Sequence, residues 1–199
     1  MPTPTVYYIR HGETAWNAAG RFQGSQDIPL NETGRAQAAH AGGLLAELIA
    51  RAGHAPDRLA FVASPLQRAR LTMELVRGRL ALPPDGFGLD DRLREIGWGH
   101  WEGSTLQQQR QSHPEVFASR EIDKWGVPPP GGESYAAVTL RMRDWYASLA
   151  GDTVAVAHGG TARALMVALD ILAPPAAADQ VIAQGAVYVF RDGTLAKHS

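Results

Sequence analysis

The chain has 199 residues, of which 45% are hydrophobic and 20% charged, and these are ordinary values for a globular protein with a sizeable core. Its formal net charge of -1 argues against a nucleic-acid-binding protein, which usually carries a basic excess. Cysteine is absent, which excludes disulfides, thiolate nucleophiles and cysteine metal sites.

Length and hydropathy also set expectations about organisation and location. The length favours one domain over residues 1–199. No apolar run reaches the roughly 18 residues that a membrane span needs, so we expect no membrane contact. The N-terminal sequence MPTPTVYYIRHG lacks a basic stretch followed by an apolar one, and we therefore expect a cytoplasmic protein without a secretory signal.

Four apolar runs of strand length occur along the chain: TVYYI (5–9), LAFVA (59–63), TVAVA (153–157) and AVYVF (186–190). A helix-compatible stretch follows each of the first three. This alternation predicts an α/β fold, a three-layer α/β/α sandwich in which helices cover both faces of a mostly parallel sheet. The hairpin-type turn RDGT (191–194) predicts an antiparallel edge.

Capping residues predict where two helices begin. Asn31 or Thr33 can cap the helix after the first run. In SPLQRARLTMELVRGRL, Ser64 has the position of an N-cap, Pro65 that of the first helical residue, and Gln67 completes a capping-box pattern. The second helix is therefore expected to start directly after its strand.

Two segments depart from the alternation of strand and helix. Residues 97–134 contain aromatic residues, glutamines and the sequence VPPPGGES, so we expect a helical and loop insertion that lies over the sheet edge and covers the crevice there. The sequence LAPPAAADQ (172–180) predicts a surface connection.

Polar side chains follow three of the apolar runs, where ligands of open α/β sheets bind, beyond the carboxyl ends of the strands. We expect them to converge on one small cationic volume. The residues are Arg10 and His11 after the first run, Ser64 and Arg68 after the second, and His158 after the third, where Gly159 and Gly160 follow it.

Arg68 gives the first indication of a ligand. In the first turn of a helix a cation faces the positive end of the helix dipole, and a bound anion would make that position favourable. Taken singly, Arg68 could pair with a carboxylate, and His11 or His158 could be structural. Together with Arg10 they indicate a phosphate site. A zinc site is disfavoured, because no HxxH or HxxxH spacing occurs and Arg10 would repel a metal ion.

Six sequence boxes occur in a fixed order: RHGETAWN with GRFQG, PLNETGRAQA, SPLQRARLT, LREIGWGHWEG, PGGES and VAHGGTARAL. Between residue 5 and about residue 165 they resemble the histidine phosphatase superfamily, the phosphoglycerate mutase-like proteins. The resemblance implies a phosphoglycerate mutase-like fold, a single histidine phosphatase domain, and phosphoryl transfer that needs no metal and no organic cofactor.

The resemblance also implies roles for five residues. His11 is the nucleophile, because a neutral imidazole attacks phosphorus well and forms a labile N–P bond. A hydrogen bond to a backbone carbonyl would fix its tautomer. Arg10, Arg68 and His158 hold the phosphoryl oxygens and stabilise charge in the transition state. Glu95 protonates the leaving oxygen and then takes a proton from water.

Other positions carry weaker expectations. The resemblance places Asn17, Gln23, Gly24 and Gly159 near the phosphate or the substrate, although Gln23 equally fits a surface loop. Glu102 in WEG is the rival of Glu95 as the acid.

A purely structural interpretation is open at several positions. Glu95 would then pair with Arg92 or Arg94 on the surface. Arg21 and Arg163 are expected to form structural ion pairs. Another set of residues forms an aromatic cluster: Trp98, His100 and Trp101. This cluster could line the mouth of the pocket or serve only to pack against the core.

We expect a phosphomonoester hydrolase whose partner is a small phosphorylated metabolite. Cofactor-dependent mutases of the family have a longer insertion with paired arginines, whereas QSHPEVFASREIDKWGVPPPGGES offers only Arg120 and Lys124 as clamps. An α-ribazole phosphatase-like role is one option. A mutase, or less favourably a non-catalytic binding module, is the alternative, and the oligomeric state stays open.

Overall fold

A six-stranded sheet lies at the centre of the computed structural model, which describes residues 3–199. Its strands are β1 (Val6–Arg10), β2 (Ala60–Ala63), β3 (Gly88–Leu89), β4 (Thr153–Ala157), β5 (Val187–Arg191) and β6 (Thr194–His198). The order across the sheet is β3-β2-β4-β1-β5-β6. The first four strands in this order are parallel, whereas β5 and β6 are antiparallel to their neighbours. The predicted parallel sheet with an antiparallel edge is confirmed.

Helices connect these strands. They are α1 (Ala15–Ala18), α2 (Glu32–Arg51), α3 (Gln67–Arg79), α4 (Leu106–Ser112), α5 (Pro114–Ile122), α6 (Tyr135–Ala147), α7 (Gly159–Ala168) and α8 (Pro174–Asp179). The predicted cap of α2 is confirmed, because the Asn31 side chain accepts a hydrogen bond from the Gly34 amide at 2.8 Å. Among the helices of residues 3–199, none combines the length and the hydropathy of a membrane span.

One prediction about a helix boundary is wrong. α3 begins at Gln67 with Leu66 as its N-cap residue, rather than at Pro65 after a Ser64 cap. The Ser64 hydroxyl accepts only a long hydrogen bond from the Leu66 amide, at 3.4 Å, and lies 2.8 Å from Nε2 of His158, so its shorter contact is with a residue distant in sequence. The segment 172–180 contains α8, which starts at Pro174, where the missing amide hydrogen of proline costs little.

Helices pack on both faces of the sheet. Alternate residues of β1 lie on opposite faces of the sheet, because successive side chains of a strand point in opposite directions. Tyr7 and Ile9 join the buried residues of α2 and α3, whereas Val6 and Tyr8 join those of α6 and α7. The predicted three-layer arrangement is therefore confirmed.

Residues 97–134 contain a 3₁₀ turn at Gly99–Trp101, followed by α4 and α5. Trp98 and Trp101 are buried in the core on the α6 and α7 side, and Phe117 and Trp125 pack against that core. Aromatic packing thus fixes this segment to the rest of the molecule. Its role as a cover of the crevice stays a prediction.

Candidate active site

Three neighbouring parallel strands end at one edge of the sheet, and a polar side chain follows each of them. β1 ends at Arg10 and is followed by His11, β2 is followed by Ser64, and β4 by His158. The His11 amide donates to the Ala157 carbonyl at 2.9 Å, which fixes the end of β1 to the end of β4. The His11 and His158 rings lie with their centroids 5.1 Å apart. The structure thus brings together the residues that the sequence places after the strands.

The His11 ring is held by its own backbone. Its Nδ1 lies 2.7 Å from the Gly12 carbonyl oxygen, which can only accept a hydrogen bond. Nδ1 therefore carries the proton, and Nε2 keeps a lone pair. A Cβ at position 12 would overlap the backbone of Gly34, so only glycine allows this approach to the start of α2. In the Arg-His-Gly sequence, Gly12 thus has two roles. Its carbonyl orients the His11 ring, and its missing side chain allows the close contact with the Gly34 backbone.

The charge state of His11 suits nucleophilic attack. The residue exposes only 2% of its surface. Burial, and then the positive charges of Arg68 and Arg10, hold the pKa of His11 well below its ordinary value of 6.5. The imidazole is consequently neutral at physiological pH, with the Nε2 lone pair available.

Arg10 and Arg68 are held by backbone carbonyls. Arg10 Nη1 donates to Ile182 O at 2.6 Å, and Arg68 donates to Gln26 O and Gly24 O at 2.6 and 2.9 Å. Each Nε–H is buried without a hydrogen-bond partner among residues 3–199. Burial lowers the pKa of Arg68 to about 10, so the group is still protonated at neutral pH. Both arginines are thus positioned cations with donors to spare for an oxyanion.

Glu95 has one fixed oxygen and one free oxygen. Its Oε1 accepts hydrogen bonds from the Ile96 and Gly160 amides at 2.9 and 3.0 Å, whereas Oε2 has no partner within residues 3–199. A Cβ at position 160 would overlap the Glu95 carboxylate, so glycine allows the approach. Oε2 is therefore the oxygen able to carry a transferable proton.

The surface ion pairs considered for Glu95 are made by other carboxylates. Arg92 pairs with Asp90, and Arg94 pairs with Asp91, each at 2.6 Å. Glu95 consequently has no role in anchoring these arginines.

Both carboxylate oxygens of Glu102 are occupied by hydrogen bonds to a neighbouring loop, unlike those of Glu95. The Glu102 oxygens accept hydrogen bonds from the Ser25 amide and hydroxyl at 2.9 and 2.8 Å, and from the Gln26 side chain at 2.9 Å. The carboxylate thereby holds the loop that binds Arg68. The geometry favours Glu95 over Glu102 as the acid.

A cavity of about 230 Å³, here called the strand-end cavity, opens beside His11. Its wall includes most of the predicted site residues, namely Arg10, His11, Asn17, Gln23, Arg68, Glu95 and Gly159. Asn17 Oδ1 accepts from Gln184 Nε2 at 3.1 Å, and Gln23 Oε1 accepts from the Thr14 hydroxyl at 3.0 Å. These bonds occupy the amide oxygens and leave the amide nitrogens to donate.

Gly24 and His158 do not line this cavity. Gly24 has a φ of +53°, and a Cβ there would overlap the Glu102 carboxylate. It shapes the loop whose carbonyl binds Arg68. His158 is fully buried next to His11, with Nε2 2.8 Å from the Ser64 hydroxyl. Burial, followed by the charge of Arg68, holds the pKa of His158 well below 6.5.

The expectation of ion pairs for Arg21 and Arg163 is wrong. Arg21 donates to Gly103 O at 2.5 Å, and Arg163 to Gln180 O at 2.9 Å; neither forms an ion pair within residues 3–199. Both line the strand-end cavity, together with Phe22 and Trp98. A signal was present in the sequence: α7, GGTARALMVA, contains no acidic residue to pair with Arg163.

The arrangement has the parts that phosphoryl transfer needs. Four arginines and one carboxylate line the cavity, so it attracts a dianion. A neutral imidazole nitrogen is available to attack, and a carboxyl oxygen is available to exchange a proton. No cluster of three His, Asp or Glu side chains suited to a metal ion occurs within residues 3–199.

Comparison with known proteins points to the same chemistry. The family model for the histidine phosphatase superfamily (branch 1) matches residues 6–192. A relative from Brucella anthropi, named a 2,3-bisphosphoglycerate-dependent phosphoglycerate mutase, is 33% identical over 96% of this chain and 95% of its own length.

Solved structures are similar along nearly the whole chain. A mycobacterial glucosyl-3-phosphoglycerate phosphatase matches with a TM-score of 0.78 and 30% identity, over 94% of this chain and 89% of that one. A putative alpha-ribazole-5'-P phosphatase from Escherichia coli, at 24% identity, shares the fold with a TM-score of 0.79, over 98% and 95% of the two chains. From the family match over residues 6–192, the chain belongs to the histidine phosphatase superfamily.

Proposed function

We propose that this protein hydrolyses a small phosphorylated metabolite through a phosphohistidine intermediate, without a metal ion. The observation that carries the proposal is the pairing of a neutral His11, whose Nε2 is free, with the unpartnered Oε2 of Glu95 in one arginine-lined cavity. These two groups, with the arginines around them, support a reaction at a bound phosphate dianion.

In the first step, Nε2 of His11 attacks the phosphorus atom, and the bond from phosphorus to the ester oxygen breaks. Glu95 transfers its Oε2 proton to that oxygen, so the product leaves as a neutral alcohol. The Gly12 carbonyl accepts a hydrogen bond from Nδ1–H, with 2.7 Å between the two heavy atoms, and stabilises the ring as it gains positive charge. The arginines stabilise the equatorial oxygens.

In the second step, water attacks the phosphorus atom and the N–P bond breaks. Glu95, now ionised, takes a proton from the water, which restores its carboxylic acid. Inorganic phosphate leaves and His11 returns to its neutral form. The two steps together consume one ester and one water and release one alcohol and one phosphate.

A bisphosphate-dependent mutase is the second candidate. The name of the Brucella anthropi relative favours it, and so do Arg21 and Arg163, which bring two further cations to the strand-end cavity. The expected clamps in the 97–134 segment oppose it. Lys124 contacts Asp179 at 3.3 Å, and Arg120 lies against the Trp98 and Trp101 rings.

A binding module without turnover is less well supported. Such a protein needs the cations that hold phosphate, but it has no use for a neutral imidazole beside a free carboxyl oxygen. His11 and Glu95 both line the cavity, which supports a reaction over binding alone.

The test is hydrolysis of p-nitrophenyl phosphate in EDTA, with the wild-type protein compared with His11→Ala. We expect metal-independent turnover that falls by about 10⁴-fold or more in the variant, because a catalytic unit loses its nucleophile. An acid-labile phosphoryl group should be trapped on wild type and not on the variant. Exposed His40 provides the control, and His40→Ala should retain activity.

Three outcomes would change the assignment. Turnover abolished by EDTA in the wild type contradicts metal independence. Phosphoryl exchange between phosphoglycerates that depends on a bisphosphate primer and exceeds hydrolysis identifies a mutase. Tight phosphate binding with neither reaction identifies a binding module.

A further inference from the structure

Tyr8 carries a buried hydroxyl that the proposed mechanism does not use. The residue lies in β1 and is fully buried. Its hydroxyl donates to the His158 carbonyl at 2.7 Å and accepts from the His158 amide at 3.0 Å. The Thr161 hydroxyl lies 2.7 Å from the same oxygen. One side chain of β1 thus binds both backbone groups of His158.

His158 is the single residue between the end of β4 and the start of α7, a junction here called the β4–α7 corner (residues 157–160). Regular hydrogen bonding stops at such a junction, because the first amides of a helix have no partner within it. The Thr161 hydroxyl adds to the support from Tyr8, since it lies 3.2 Å from the His158 nitrogen and 3.1 Å from its carbonyl oxygen. Two buried hydroxyls therefore fix the corner.

Packing of the Tyr8 ring does not require its hydroxyl. The ring meets Phe190 edge to face, with the centroids 6.1 Å apart, and a phenylalanine would make this contact equally well. Burial raises the pKa of Tyr8 above its ordinary value of 10.0, so the hydroxyl keeps its proton throughout the neutral range. It is a constant donor to the His158 carbonyl rather than an acid or a base.

The β4–α7 corner carries two groups of the proposed reaction. The His158 ring lies with its centroid 5.1 Å from that of His11, and its Nδ1 is buried without a hydrogen-bond partner within residues 3–199. The Gly160 amide donates to Glu95 Oε1 at 3.0 Å. A displaced corner would therefore move both the His158 ring and the carboxylate that the Gly160 amide holds.

We propose that Tyr8 is a positioning residue: its hydroxyl, with that of Thr161, fixes the β4–α7 corner and thereby holds His158 and Glu95 in place for phosphoryl transfer. This inference rests on the proposed phosphatase function. Tyr8 packs in the core on the α6 and α7 side of the sheet and does not line the strand-end cavity. Its effect reaches the reaction through the backbone of His158 and the amide of Gly160.

The test compares Tyr8→Phe with Tyr7→Phe. Tyr7 is the matched control, because it is a buried tyrosine of the same strand on the opposite face of the sheet. Tyr8→Phe should lower kcat for glycerol phosphate by about 10- to 100-fold, since a displacement of about 1 Å costs on the order of 10²-fold in rate. p-Nitrophenyl phosphate should lose less, because its leaving group does not need the Glu95 proton. Tyr7→Phe should retain wild-type kcat on both esters.

Inhibition by vanadate separates positioning from a merely structural role. Vanadate mimics the five-coordinate transition state of phosphoryl transfer, whereas phosphate mimics the ground state. Tyr8→Phe should weaken inhibition by vanadate by about 10-fold or more, and inhibition by phosphate by less, because transition-state stabilisation is lost. These inhibition constants do not depend on the fraction of the protein that is folded.

Two results for Tyr8→Phe would overturn the proposal while wild type hydrolyses both esters. One is wild-type kcat together with wild-type inhibition by vanadate. The other is an equal loss of kcat on both esters with unchanged inhibition by vanadate, which identifies a hydroxyl that serves stability alone. The phosphatase function would stand in either case.

Thr161 covers the event that Tyr8→Phe does not fold. Thr161→Val removes the second hydroxyl of the corner at nearly constant shape, whereas Thr161→Ser keeps a hydroxyl there. Thr161→Val should lower kcat for glycerol phosphate and weaken inhibition by vanadate, and Thr161→Ser should restore both. Wild-type kinetics in Thr161→Val would then overturn the proposal.

A wild-type protein that hydrolyses no ester would contradict the phosphatase function, and vanadate binding would then decide the positioning role. Calorimetry should show that Tyr8→Phe binds vanadate more weakly than wild type by about 10-fold or more, whereas Tyr7→Phe binds it equally. Equal affinity in wild type and Tyr8→Phe, or no binding to either, would overturn the role of Tyr8.

Discussion

The two cavities of this protein are built in different ways. Five charged groups line the strand-end cavity: Arg10 ends β1, Arg68 and Arg163 lie in the helices that follow β2 and β4, and Arg21 and Glu95 lie in loops. Hydrogen bonds to backbone carbonyls hold its arginines.

The adjoining cavity has a volume of about 530 Å³ and is here called the aromatic cavity, after Phe22, Trp98, Trp101, Phe117 and Trp125 in its wall. It takes its wall chiefly from α4, α5, α8 and the loops beside them, and it carries carboxylates as well as cations. One region is fixed by the sheet, and the other by side-chain packing in a connecting segment.

This difference separates two parts of the proposed reaction. Residues fixed by the sheet act on the phosphoryl group, which is identical in every phosphomonoester. Residues of the connecting segment line the adjoining space, which is available to the leaving group, and that group differs from one ester to the next. Substitutions in the strand-end cavity should therefore lower kcat/KM for all substrates. Substitutions in the aromatic cavity should lower kcat/KM by an amount that depends on the leaving group.

Glu95 is proposed to act on the bond between the phosphoryl group and the leaving group, and after His11 its substitution has the largest expected effect. Glu95→Gln should lower kcat for glycerol phosphate by about 10²- to 10⁴-fold, because the leaving alkoxide loses its acid. p-Nitrophenyl phosphate should be affected less, since nitrophenolate leaves without a proton. Steady-state kinetics on both esters measure the difference.

Glu102→Gln serves as the comparison for Glu95→Gln, because Glu102 binds the 24–26 loop instead of the reacting group. This variant should lower thermal stability and keep the wild-type ratio of activities on the two esters. An equal loss on both esters in Glu95→Gln would contradict the acid role.

Substitution of Arg163 tests whether this cation, which sequence analysis assigned to a structural ion pair, contributes to the proposed catalysis. Arg163→Met should lower kcat/KM by about 10²- to 10³-fold on every ester, since a positioned donor to the phosphoryl group is lost. The control is Arg143→Met, at an exposed arginine of α6. A loss limited to some esters would place Arg163 with the leaving group instead.

Gly160 tests the positioning of Glu95 without changing any charge. Gly160→Ala places a methyl group where the Glu95 carboxylate lies and displaces that carboxylate. A shift of about 1 Å costs on the order of 10²-fold in rate. We expect kcat to fall by about this factor for glycerol phosphate, and less for p-nitrophenyl phosphate. Exposed Gly151, with open space at its Cβ position, provides the control Gly151→Ala.

The smallest expected effect concerns stability against acid. The pKa of His11 and that of His158 are held well below 6.5 in the folded protein, so below that pH the unfolded chain binds more protons. Stability is fully present above pH 6.5 and falls as the pH decreases, by at most about 1.4 kcal/mol per pH unit for each histidine.

Urea unfolding at pH 7.0, 6.0 and 5.0 measures this dependence. His158→Gln should reduce the slope of the unfolding free energy against pH, whereas His40→Gln, at an exposed position, should leave it unchanged. Identical slopes in all three proteins would mean that the buried histidines do not titrate as the geometry requires.

Local sequence patterns were enough to predict four strands, the antiparallel edge and the polar residues at the strand ends, but not the two-residue strand β3. The polar residues Arg10 and His11 mark the end of the first apolar run, and His158 marks the end of the third, so the sequence itself shows where these strands end. The position of His11 Nδ1 against a backbone carbonyl was also predictable, because the Gly12 carbonyl is adjacent in sequence.

The features that sequence analysis missed depend on contacts between distant residues. Ser64 has the local signature of a helix cap, but its hydroxyl contacts His158 across the sheet. Arg163 was assigned to an ion pair, although its partners are the Gln180 carbonyl and the Tyr135 hydroxyl. The aromatic cavity could not be predicted either, because α8 and the 97–134 segment together form its wall.

The carbonyl contacts of Arg10 and Arg68 have a practical consequence for handling the protein. Neutral oxygens of Ile182, Gly24 and Gln26 hold these guanidinium groups, so an incoming oxyanion displaces no carboxylate from them. We therefore expect phosphate or sulfate from a purification buffer to compete with substrate, and we expect the phosphate released in the proposed hydrolysis to inhibit that reaction. Assays in amine or zwitterionic buffers, at chloride concentrations held constant, report the intrinsic affinity of the site.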